Sequence, residues 1–184
     1  MKKIIYIGVC LVGIYIFIAC NRTEENCIYV RGEEPENTDK ERMEKANQAL
    51  LKNEIERMEQ LIVRSGWKME KTNTGLYYDI YAPSKVGAAV EYGNAVVISG
   101  NLKLLNGQEI YNSQTDGNKK FVIGKGQVEI GLEQAVMLMK KGDKAHLIIP
   151  SHLGYGLVGD GNRIPPKASL IYDITIEKVY EKKQ

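Results

Sequence analysis

Two histidines are the whole complement of this chain of 184 residues. Neither His146 nor His152 has a cysteine, histidine or carboxylate partner at ligand spacing, so the sequence supports no metal chemistry. No basic stripe with interleaved aromatics is present, which argues against a nucleic-acid partner. No serine or cysteine stands in a nucleophile elbow with a partnered histidine, so a hydrolase has no foothold. Internal repeats and low-complexity tracts are missing too. The formal net charge is +2, and it falls to zero without Lys2 and Lys3. The length leaves room for one domain with a real core and a helical extension.

The long apolar run is confined to Ile4–Ala19, behind Met1-Lys2-Lys3 and ahead of the polar residues Asn21 to Asn26. It falls short of the ~20 residues that span a bilayer core as a helix, so residues 1–20 read as a secretory signal. Phe17-Ile18-Ala19-Cys20 resembles a bacterial lipobox, with an apolar first position, a small residue before the cysteine and a thiol for diacylglyceryl attachment. That resemblance implies lipid on Cys20 and a chain anchored at a membrane. Asn21 is not acidic, and likeness to lipoprotein sorting then favours the outer membrane of the cell envelope. Of the three cysteines, Cys10 lies in the leader, Cys20 is assigned to lipid and Cys27 remains alone. A disulfide framework within one mature chain is excluded.

Residues 21–37 carry Glu25, Gly32, Glu33, Glu34, Pro35 and Glu36 and suit a solvated tether. Thr38 then reads as an N-cap, with Asp39 and Glu41 in the first turn. Met43, Ala46, Leu50, Leu51, Ile55, Met58, Leu61 and Ile62 form one apolar stripe up to Ser65-Gly66, predicting a long amphipathic helix. Such a stripe has to be buried on something, and three covers stay open: a second copy in a homodimer, a client chain, or the helix's own domain.

Strand signals follow. Trp67–Tyr81 reads as a turn into a strand of β-branched and aromatic residues that Pro83 ends, and Ala95–Leu105 and Glu109–Asn112 flank the hairpin turn Asn106-Gly107. Phe121–Ile123 is a further short strand. Behind Gly131, residues Leu132, Ala135, Val136, Leu138 and Met139 recur at helical spacing until Gly142-Asp143. Ala145, Leu147 and Ile149 alternate as a strand up to Pro150. A long loop holds Gly154-Tyr155-Gly156 and Gly159-Asp160-Gly161 and closes at Ile164-Pro165-Pro166, before a last strand from Ala168 to Val179. The class is α+β: an antiparallel sheet of about five or six strands wrapped on one short helix, preceded by the long one.

Gly142-Asp143, Ile149-Pro150, Gly154-Tyr155-Gly156, Ile164-Pro165-Pro166 and Leu170-Ile171-Tyr172-Asp173-Ile174 together resemble the C-terminal half of FKBP-type peptidyl-prolyl cis-trans isomerases. With its leader, helix and the segment Trp67–Tyr81, the chain is similar to the lipoprotein branch that includes gliding-motility-associated isomerases. The resemblance implies a signal peptide at 1–20, a tether at 21–37, a helix and first strand at 38–82 and an isomerase domain at 83–184. It also implies proline-containing polypeptide clients, such as exported proteins in the course of folding, and no cofactor.

Carried over by position, the resemblance gives Tyr155 as the loop tyrosine and the N–H of Glu129 as a catalytic contact. Val128 is an aliphatic wall, Ile164 the residue before Pro-Pro and Tyr172 an aromatic of the last strand. Departures are also implied. Gly100 falls where the family has tyrosine, Ile110 replaces phenylalanine, Tyr111 replaces aspartate, Leu132 replaces the tryptophan of the floor, and Asp160 stands where histidine is frequent. The expectation is a wider and weaker proline pocket, since each aromatic lost removes up to about 1.5–3 kcal/mol of burial. A second reading stays open beside the isomerase: an FKBP-fold chaperone or adaptor that no longer catalyses.

Overall fold

The computed structural model describes residues 36–181. The leader, the proposed lipid site Cys20, the tether up to residue 35 and Cys27 lie outside the described residues. The long helix, α1, runs Glu36–Ser65 and so takes in the last two residues of the expected tether, starting ahead of Thr38. Gly66 ends it in the left-handed region at φ 68°, its N–H returning to the Ile62 carbonyl at 3.1 Å. The described chain divides between Met43 and Glu44, and residues 44–181 make one compact unit.

That unit holds one antiparallel sheet of β1 (Glu70–Lys71), β2 (Tyr77–Ala82), β3 (Ala95–Leu104), β4 (Glu109–Asn112), β5 (Lys119–Val122), β6 (Lys144–Ile149) and β7 (Leu170–Tyr180). Their order is β1-β2-β6-β7-β3-β4, and β5 pairs with the first half of β3. The short helices α2 (Ser113–Asp116) and α3 (Ile130–Met137) complete it. The α+β class stands, with seven strands because the two-residue β1 has too little pattern to be read from sequence.

Both faces of the sheet are covered, which follows from period-two alternation. In β6, Ala145, Leu147 and Ile149 join Leu132, Ala135 and Val136 of α3 in the main core. Ile148 points the other way, pairs with Tyr77, and is capped by Met58 of α1 together with Ile55, Leu61 and Ile62. The second half of α1 therefore packs on its own domain. Burying Met58 to 1% exposure contributes about 1.5–3 kcal/mol. In the first half Met43, Leu50 and Leu51 stay exposed. At the other end of the sheet, Asp143 accepts from the N–H groups of Ser84 at 2.6 Å and Lys140 at 2.8 Å, fixing the turn into β6.

The β3–β4 ladder carries a bulge that positions the site. Leu102 pairs with Tyr111 and Lys103 with Glu109, leaving Ile110 as the extra residue. Ile110 is buried in the main core and Tyr111 packs against the same core.

Candidate active site

Tyr111, Leu102, Tyr172 and Leu147 lie directly opposite one another across β4, β3, β7 and β6, and so share a face. Tyr172 is buried in the main core with Leu132, Ile110 and Ile164, and Tyr111, Val128 and Tyr155 pack against the same core. The structure thus brings together seven of the residues picked from sequence. Asp160 is exposed on the loop instead, where its Oδ1 accepts from the Asn162 N–H at 2.9 Å and the Ile164 N–H at 2.7 Å. These backbone hydrogen bonds pull its carboxyl below the usual range. Its evident work is to fold the loop and set Ile164.

Gly100 is glycine for a backbone reason. Its φ is 136°, and a Cβ there would stand 2.0 Å from the Asp173 carbonyl oxygen. No aromatic fits on this backbone, and Ile98, two residues back on β3, lines a crevice of about 10 Å³ together with Tyr111 and Tyr172. Lys119 lines the same crevice. The Tyr111 hydroxyl donates to the Gly117 carbonyl, which fixes the ring there.

Glu129 brings more than its N–H. Its side chain is only 2% exposed, its Oε1 accepts from the Tyr172 hydroxyl at 2.8 Å, and Lys119 Nζ lies 3.9 Å from Oε2. Oε2 has no hydrogen-bond partner among the described residues. Burial, followed by the charge of this carboxylate, holds the Tyr172 hydroxyl well above the ordinary tyrosine range. Burial and the nearby Glu129 do the same for Tyr155. Both hydroxyls are therefore donors at any physiological pH. Among the described residues nothing accepts from the Glu129 N–H, which opens the first turn of α3. Sequence reasoning missed the inward carboxylate, Lys119 and Ile98. The available signal was an acidic residue between Val128 and Ile130 at a helix start, which reads equally as an exposed N-terminal charge.

A second, larger hollow of about 690 Å³ lies between α1 and the far side of the loop, lined by Leu50, Leu51, Glu54, Leu157, Pro165 and Ser169 among others. Leu157, at 75% exposure, forms its rim.

An antiparallel α+β sheet whose core is joined by a half-buried loop tyrosine, Tyr155, and by Ile164 ahead of a Pro-Pro pair is the arrangement that the comparisons then place in a family. The model of the FKBP-type peptidyl-prolyl cis-trans isomerase family matches residues 87–177. FK506-binding protein 2 of Dictyostelium discoideum is 38% identical over 97 residues, covering 52% of this chain and 73% of that protein. A probable FKBP-type peptidyl-prolyl cis-trans isomerase of Haemophilus influenzae is 31% identical over 119 residues, covering 65% of this chain but 48% of that protein, so the chain spans about half the length of this relative. In fold, the chain is like a peptidyl-prolyl cis-trans isomerase crystal structure from Pseudomonas syringae, with TM-score 0.62 at 24% identity, covering 73% of this chain and 96% of that one. The chain belongs to the FKBP-type peptidyl-prolyl cis-trans isomerase family.

Proposed function

We propose that this chain is a prolyl isomerase of the cell envelope, held at a membrane by lipid on Cys20 and acting on exported polypeptides. The rotation it serves has a barrier of ~18–20 kcal/mol, set by amide resonance. A protein lowers that barrier by excluding water and holding the X-Pro segment in a geometry that suits the twisted amide. Val128, Ile164, Leu132 and the Tyr172 ring supply the apolar enclosure. The Glu129 N–H and the Tyr155 hydroxyl are the donors available to a substrate carbonyl.

The single observation that carries the reading is the convergence of Tyr155, Val128, Ile164 and Tyr172 on one cluster in a chain of this family. The aliphatic or glycine residues at Gly100, Ile110 and Leu132 favour slow turnover, because each aromatic lost removes apolar surface that grips the proline ring. The same losses favour the second reading, a binding module that holds clients without rotating them. An NMR exchange assay on an X-Pro peptide separates the two. The isomerase reading expects a rate above the uncatalysed one, and a rate equal to it at high protein concentration overturns that reading.

Envelope anchoring rests on Phe17-Ile18-Ala19-Cys20 and on the polar switch at Asn21. Among the described residues no helix is long and apolar enough to cross a membrane. A homodimer through Leu50 and Leu51, both about half exposed, belongs to the same proposal.

A further inference from the structure

We infer that Glu54 of α1 is a positioning residue for the loop that bears Tyr155 and Ile164, which makes α1 a working part of the isomerase. The inference rests on the isomerase reading above. The loop leaves β6 at Ser151 and enters β7 after Ser169, and one carboxylate holds both feet. Glu54 Oε1 accepts from the Ser151 N–H at 2.6 Å and from the Ser169 hydroxyl at 2.6 Å, while Oε2 accepts from the Ser151 hydroxyl at 3.0 Å. These are charge-assisted bonds, roughly twice as strong as neutral ones. Ser169 is buried, so water replaces its partner poorly.

Between the feet the loop is irregular. It is braced from within by the Lys167 N–H on the Gly156 carbonyl at 2.8 Å and by Asp160 on Ile164. Those bonds give the loop its shape, but they do not set its tilt against the sheet. The β6–β7 ladder ends at the Ile149–Leu170 pair, and beyond it Glu54 ties Ser151 to Ser169 from outside the sheet. Glu54 itself is kept in place by Met58 and Ile55, one turn and one residue away, whose burial seats this half of α1. A loop freed at its feet keeps its fold yet aims Tyr155 and Ile164 less well, and misplacement by about 1 Å has cost enzymes up to ~100-fold in rate.

The test compares wild type, Glu54→Ala, Glu54→Gln and Leu51→Ala in the full chain, by NMR exchange on an X-Pro peptide and by amide hydrogen exchange over residues 151–169. Leu51 lines the same hollow without bonding the loop, and it serves as control. Expected are a loss of about tenfold in kcat for Glu54→Ala with little change in KM, faster amide exchange at the loop feet, partial recovery in Glu54→Gln, and no effect of Leu51→Ala. An active wild type with a folded Glu54→Ala of unchanged kcat overturns the inference and leaves the isomerase reading standing. An inactive wild type overturns that reading, and the loop is then judged on amide exchange alone, where an unchanged pattern in Glu54→Ala overturns the positioning role. Where Glu54→Ala does not fold, Ser169→Ala removes one bond of the three and carries the same comparison.

Discussion

At Glu129, Tyr155 and Tyr172 a buried carboxylate stands with two phenols, where the resemblance implied the loop tyrosine and only the Glu129 N–H. The phenols stay protonated because burial and then the Glu129 charge disfavour their anions. The sign for stability follows. A hydroxyl whose folded pKa lies above its unfolded value near 10 contributes stability that is complete below pH 10 and is lost as pH rises above it. The urea midpoint is therefore expected to hold from about pH 7 to 9 and to fall above about pH 10. Tyr172→Phe should flatten that fall, and an equal fall in the variant would show that the titration lies elsewhere. For catalysis, Tyr155→Phe is expected to lower kcat/KM by roughly 0.5–1.5 kcal/mol, the net worth of one hydrogen bond that tightens in the transition state. Single-peptide exchange kinetics measure it. At this scale the aromatic and aliphatic residues were legible, because Gly-Tyr-Gly and Ile-Pro-Pro are fixed in spacing. The inward turn of the Glu129 carboxylate was not, since it depends on a hydrogen bond to Tyr172, 43 residues along the chain. Nor does position counting show that Gly100 is required by the Asp173 carbonyl rather than vacated by an aromatic. Gly100→Ala should accordingly destabilise the domain by at least ~2 kcal/mol in urea titration, as strain and contact add at a φ of 136°.

Among the elements, α1 divides into two halves with different fates. Its stripe was legible from Met43 to Ile62, because apolar residues at helical spacing need no partner to be recognised. Which part is covered was not legible, since the cover is Tyr77 and Ile148 on the outer face of the sheet, a face that alternation alone leaves unassigned. Ile148 breaks the polar half of the pattern in β6 and marks that second face. The bulge at Ile110 was equally invisible, because an extra residue in a ladder has no composition signature in so short a strand. Met58→Ala is expected to destabilise the domain by about 2–5 kcal/mol, as for other buried long side chains cut to alanine. Leu50→Glu, on the exposed half, should move stability by no more than about 0.5 kcal/mol and weaken any dimer. Urea titration and sedimentation equilibrium read the two effects apart. If Met58→Ala leaves the midpoint in place, the packing of α1 on the sheet contributes nothing.

For the molecule as a whole, the addressing segment and the site are separate stretches of chain, and the separation makes the proposed anchor testable. The side chains placed at the site lie between Ile98 and Ile174, whereas the proposed lipid signal is residues 17–20, outside the described residues. A single acyl chain gives only marginal membrane binding, and stable anchoring takes two signals or more. The proposed lipid on Cys20 would supply several chains at one residue, so loss of that thiol would remove the whole anchor at once. Cys20→Ser is expected to abolish lipid labelling of the protein and to move it out of the membrane fraction, or to leave the leader uncut. The X-Pro exchange rate of the detergent-solubilised variant should equal that of wild type, because nothing at the site is altered. Labelling that persists in Cys20→Ser would refute the anchor and leave the isomerase untouched. A released protein whose rate differs from that of wild type in detergent would show that residue 20 or its lipid bears on the site.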